Sequence, residues 1–250
     1  MNFSKIFTLI SRTKGLPFCL FFMILFFSIS PVSAHNLWIV GDASKNGGND
    51  VHLYFEHFVG PGDGAYLGPV QSRGKTWILT PDGKTESVDL AMVKKGDTQY
   101  LEGKAGDPDH GYALNHTSLY GIYHGRLDFF HGKYIDAVDS KNLVNLSKSC
   151  DIPFQIIPTL KDGGLLLQVI YFSTPLPRTK ISMVKNNGKE EVLKTNNKGE
   201  VFFSPKKQGR YHFSALAFEN EAAGVFENKA YKGIMHGTTL IIKWPIPDRN

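Results

Sequence analysis

The sequence predicts an all-β protein built as two antiparallel β-sandwich domains, the second immunoglobulin-like or transthyretin-like. Three observations point there. Beyond residue 35, apolar residues alternate with polar ones or gather in runs too short for a helix. Gly, Pro, Asn and Asp break those runs at short intervals, ending strands and making turns. No stretch of useful length carries an apolar stripe at helical spacing, so the layers must be sheet on sheet.

Residues 1–34 differ from this pattern. Lys5, Arg12 and Lys14 precede an apolar block over 16–27, and the stretch closes on Val32, Ser33 and Ala34. That is the layout of a secretory signal peptide: basic start, apolar middle, small residues at the cut. Cleavage after Ala34 makes His35 the first residue of the mature chain. The competing reading is an uncleaved N-terminal anchor.

Next, 51–58 alternates as a strand and runs into Gly60-Pro61-Gly62-Asp63-Gly64, which must be a loop. Residues 75–80, the turn Pro81-Asp82-Gly83 and 85–90 read as a hairpin. Strands are expected at 100–103 and 119–124, with a loop at 107–111 between them, and 129–137 fits either a strand or a short helix. The polar, turn-like stretch 139–150 marks a boundary, giving a first domain over 35–148 and a second over 149–250. In the second, strands are expected at 154–157, 165–172, 180–184, 191–195, 200–203, 210–218 and 238–244. Their spacing suits a sandwich, and Asn186-Asn187-Gly188 and Asn196-Asn197-Lys198-Gly199 are turn signals.

Charge and cysteine usage exclude several functions. Loss of residues 1–34 removes Lys5, Arg12 and Lys14 and no acid, so the net charge falls from +5 to +2. So small a surplus, with no Lys/Arg block, does not make a nucleic-acid surface. Cys19 leaves with the signal, and Cys150 is then alone, so no intramolecular disulfide forms. After the signal no segment holds the roughly 18 apolar residues of a membrane span, so a periplasmic or secreted protein without a transmembrane segment is expected. The motifs of serine hydrolases, phosphate-binding loops, zincin helices and Cys-x-x-Cys redox pairs are absent, and the scattered acids nominate no glycosidase pair.

Histidine carries the remaining chemistry. All nine histidines lie after residue 34, seven of them before the boundary. A histidine with a free α-amine chelates a metal through amine and ring together, and imidazole suits nickel, cobalt, copper and zinc. His35 is therefore the leading ligand. His57 ends a strand on its apolar face beside the glycine-rich loop and is the leading partner, with His52 and Glu56 as a reserve pair on the other face. His124 and His131 are each followed by glycine, which leaves room beside the ring, and Asp128 could orient one of them. His236, just before the last strand, could fold back against the first domain. His110 and His116 read as exposed, and His212 as structural.

The chain also resembles the NikM-like family of exported bacterial proteins linked to nickel and cobalt uptake. The likeness rests on Ala34-His35-Asn36-Leu37-Trp38, on 51–57, 75–83, 154–158, 167–176 and 195–203, and on Gly209-Arg210-Tyr211 and His236-Gly237-Thr238-Thr239-Leu240. It implies a periplasmic β-sandwich protein that binds or delivers a transition metal. The family's N-terminal histidine falls on His35 and its histidine before the final strand on His236. The expectation is a non-catalytic nickel or cobalt protein using His35, His57 and one of His124, His131 or His236, with a membrane metal transporter as a candidate partner. Two alternatives remain: a copper oxidase with a histidine brace, and a structural or adhesive sandwich whose histidines are incidental.

Overall fold

The computed structural model describes residues 35–43, 48–106, 111–148, 151–184 and 189–247. The segments 1–34 and 186–188, together with His110 and Cys150, lie outside the described residues. The expectations of a signal peptide, of a turn at 186–188 and of an exposed His110 therefore concern residues not described.

In chain order the strands of the first half are β1 (Asn36–Ala43), β2 (Asn49–Glu56), β3 (Gly74–Leu79), β4 (Thr85–Ser87), β5 (Ala91–Lys95), β6 (Thr98–Ala105), β7 (Tyr112–Tyr123) and β8 (Arg126–Asp136). Helix α1 (Leu67–Ser72) precedes β3, and α2 (Ser140–Ser147) follows β8. The second half contributes β9 (Phe154–Lys161), β10 (Gly164–Tyr171), β11 (Thr174–Pro175), β12 (Lys180–Val184), β13 (Glu190–Lys194), β14 (Glu200–Phe203), β15 (Gly209–Phe226) and β16 (Lys229–Trp244). The protein is an all-β sandwich, as the alternation predicts. The expected strands of the second half and the 75–90 hairpin all form, but three strands are longer than expected: the one expected at 154–157 runs to Lys161, the one at 210–218 runs to Phe226, and the one at 238–244 begins at Lys229.

Three sheets are present among the described residues. One runs β1-β2-β6-β5, one runs β13-β12-β15-β16-β8-β7-β3-β4, and the third joins β9, β10, β11 and β14. The eight-stranded sheet is the middle layer. On one face Phe130 of β8 and Met235 of β16 pack with Leu37, Leu53 and Phe55 of the four-stranded sheet. On the other, Ile135, Leu240 and Ile242 pack with Phe154, Leu165 and Leu167 of the third sheet and with Leu143 and Leu146 of α2. A strand covered on both faces has no reason to alternate. That is why 127–135 is an almost continuous buried run, and why its sequence fits strand and helix alike.

Two expectations about the architecture change. The middle sheet takes strands from both sides of the boundary at 148/149, and His35–Asn250 forms one compact unit. The two sets of strands share a sheet and a core and are not two separately built sandwiches. The pairing is also not wholly antiparallel, because β8 and β16 run parallel, with His131 opposite Thr238 and His236 opposite Phe129. The polar stretch 139–150 is not all turn. Asp139 caps α2 by accepting from the Asn142 N–H at 2.7 Å.

Candidate metal centre

The register of β1 on β2 builds the first candidate site. Asn36 lies opposite Glu56, so the next residue outward on each strand places His35 opposite His57. Their ring centroids are 4.3 Å apart. The Trp38 indole donates to the Glu56 carbonyl at 3.0 Å, locking that register at the sheet end. His35 stacks on Phe55 at 5.7 Å and leans on Tyr66 at 4.9 Å, while its Nε2 stands 3.9 Å from the Glu56 carboxylate.

Partial burial and the neighbouring His57 hold the His35 imidazole below its usual pKa, against an opposing pull from Asp63. Burial, and then Asp63, push Glu56 upward. The site thus presents a neutral imidazole with a second imidazole and a carboxylate beside it, half-buried and next to the loop that carries Gly60–Gly64. Sequence reasoning paired Glu56 with His52. The structure gives Glu56 to His35, and sets His52 3.5 Å from Glu102 and 3.6 Å from Asp42.

The other expected ligands lie elsewhere. His131 and His236 meet each other, His131 Nε2 to His236 Nδ1 at 3.1 Å, with Thr117 Oγ1 on His131 Nδ1 at 2.8 Å. His236 stacks on Phe129 at 4.8 Å, its Nε2 is 3.8 Å from Glu219, and the Tyr171 hydroxyl donates to the same Glu219 oxygen. Burial drives His131 to a pKa of about 3 and His236 to about 4. Both rings sit on the face of the middle sheet that carries Ile135 and Ile242, opposite the face on which Phe130 meets Phe55. The pair His35–His57 and the pair His131–His236 are therefore on opposite sides of one sheet, and no single ion is held by both.

His124 joins neither pair. It is exposed at the β7–β8 turn, with φ of 49° followed by 77° at Gly125. Two successive positive φ values are the signature of a tight hairpin turn, so the glycine after His124 serves the turn. The glycine after His131 serves packing: a Cβ on Gly132 would come within 2.6 Å of Leu37. Asp128 orients no histidine either, since both its oxygens accept from Arg126, at 2.7 and 3.0 Å. His212 is buried, 6% exposed, with its ring 6.0 Å from that of Trp38.

One residue was misplaced by the sequence reading. His116, expected at the surface, is 1% exposed. Asn115-His116-Thr117 reads as polar, but the sheet that contains it is covered on both faces.

Among the described residues no group of three or more His, Cys, Asp or Glu side chains is arranged to hold a metal ion. The donors at His35 and His57 fit a metal only as part of a set that includes a main-chain nitrogen. Among the described residues no helix is long and apolar enough to cross a membrane. The sequence matches no protein-family model, and no curated protein matches it.

Proposed function

We propose that this is an exported, periplasmic protein that binds a transition metal, nickel or cobalt, as cargo for uptake or delivery through a membrane transporter. The observation that carries the reading is the β1–β2 register, which sets His35 against His57 at 4.3 Å beside Glu56. If the chain is cut after Ala34, the His35 α-amine and ring supply two nitrogens from one residue, and His57 supplies a third. Glu56 then balances the charge. One of the donors is the terminus itself, so the set asks for only two side-chain nitrogens. The resemblance to the NikM-like family supports nickel or cobalt, and imidazole and amine donors suit both.

The ligands must be deprotonated to bind. His35 is already held neutral by its surroundings, so the α-amine, which ordinarily titrates near about 7.7–8.0, sets the upper edge of the pH response. Affinity is expected to fall continuously as pH drops from about 8 to about 5.5.

The test uses protein recovered after export. Intact mass and N-terminal sequencing should place His35 first, and titration calorimetry with Ni(II), Co(II) and Cu(II) should show one site. His35→Ala, His57→Ala and a one-residue extension before His35 should each weaken binding at least about tenfold, or about 1.4 kcal/mol. Unchanged affinity in His35→Ala, or a mature chain beginning elsewhere, removes the proposal. Preference for copper with peroxide formed under reductant would move the reading to an oxidase.

A further inference from the structure

Every open sheet has edges, and an edge strand presents main-chain N–H and C=O groups with which another chain can pair. In this protein most edges are closed or short. On β1, the Leu37 carbonyl accepts from Thr239 and the Gly41 carbonyl accepts from Arg210. On β9, Pro158 has no N–H to give. Strands β4, β11 and β14 are three, two and four residues long. Among the described residues this leaves β5 and β13, edge strands of five residues each.

Strand β13 ends the middle sheet, and among the described residues it pairs with β12 alone. Glu190, Val192 and Lys194 are exposed, Val192 by 58%, and they share one face of the strand. Opposite them on β12 stand Val184, Ser182 and Lys180. Lys194 thus faces another lysine, a like-charge pair that weakens a sheet. Val192 faces a serine instead of an apolar side chain. Neither has its complement on β12.

The order of charges along β13 matches a second copy of β13. In an antiparallel pair centred on Val192, Glu190 of each copy lies opposite the partner's Lys194, and the two Val192 side chains meet. The partner's Glu190 then stands beside Lys194 on the side away from Lys180 and offsets the like-charge pair. A parallel, in-register pair would set Glu on Glu and Lys on Lys. The charges therefore select the antiparallel arrangement, which is the one a two-fold axis generates. Strand β5 lacks this property. The same operation on Ala91–Lys95 sets Lys95 opposite Ala91 and Lys94 opposite Met92, gathering lysines from both copies with no acid among them.

We propose that two copies of this chain associate edge to edge along β13, joining their middle sheets into one continuous sheet across a two-fold axis at Val192. Strand addition of this kind takes its affinity from main-chain hydrogen bonds and its selectivity from the side-chain order. Five residues make a small interface, so a dissociation constant of about 10–100 μM is expected. The edge shares no residue with the His35–His57 pair, and the proposal holds whether or not that pair binds metal.

The test is sedimentation equilibrium of protein recovered after export, from about 5 μM to about 500 μM, in EDTA so that no metal bridges two copies. The wild type should pass from monomer to dimer over that range. Lys194→Glu and Glu190→Lys each set like charges against one another twice in the dimer, and each should weaken association at least about tenfold. The double variant restores opposite charges in reversed order and should return the constant to within about threefold of the wild type. Lys194→Glu also turns the Lys180–Lys194 contact into an opposite-charge pair within one chain. Its urea midpoint should therefore not fall, which separates lost association from lost folding. A wild type that stays monomeric at about 500 μM overturns the proposal. So does a dimer that the single variants leave unchanged, or one that the double variant does not restore.

Discussion

Lys133 is wholly buried on β8, and its amine donates to the Ser147 carbonyl and to Gln155 Oε1, the latter at 2.9 Å. Burial alone lowers its pKa to about 7. An unfolded lysine titrates near about 10.4, so between these values the unfolded chain holds a proton that the folded chain lacks. The Lys133 contribution to stability must therefore rise with pH across that window, by up to about 1.4 kcal/mol per pH unit, and be flat below about pH 7. Urea unfolding between about pH 7 and pH 9 should show this gain in the wild type and not in Lys133→Met; equal slopes in the two proteins would dismiss it. A second residue-scale prediction concerns Thr117, whose hydroxyl is paired with His131 Nδ1. Thr117→Val leaves that buried nitrogen without its partner and should cost about 1–3 kcal/mol in the same assay. At this scale the sequence was least informative. His35 and His57 were found by position and alternation, which are local signals. The burial of His116 and Lys133 depends on which sheet lies above which, and the contact of His131 with His236 on the pairing of β8 with β16; no local pattern carries either.

Among the elements, β8 shows how layering erases a sequence signal. Its run from Leu127 to Ile135 is buried on both faces, so it lacks the period of two that exposed one-sided strands such as β2 display, where buried and half-buried residues alternate without a break. The short helices were missed for another reason. At six and eight residues, they offer too few turns for a helical stripe to stand out from noise. The closeness of β1 to β8 is set by Gly132, where a Cβ would press on Leu37 at 2.6 Å and Ile39 at 3.3 Å. Gly132→Ala should push β1 away at a cost of about 1–3 kcal/mol. Hydrogen exchange should report the loss locally, with faster exchange at the β1 amides than in β9 and β10; a uniform change across all sheets would show that the close approach is not what holds the four-stranded sheet in place.

The whole molecule is organised by the long hairpin of β15 and β16, which lies between strands of the two halves: β15 pairs with β12, and β16 pairs with β8. Because β16 enters from the second half to sit parallel to a strand of the first, residues before and after 148 depend on one another for a sheet edge. A polar stretch between two sets of alternating runs looks like a linker in sequence, since the pairing that bridges it is between strands about a hundred residues apart. The consequence is cooperative unfolding. Trp38 and Trp77 report on the first half and Trp244 on the second, so single-tryptophan variants should give coincident urea transitions with one midpoint. Fragments 35–148 and 149–250 should each fail to fold alone, the first because β8 loses its partner on one side, the second because β16 does. Two separated transitions, or a fragment with native-like dispersion in its NMR spectrum, would show that the shared sheet is not the unit of stability.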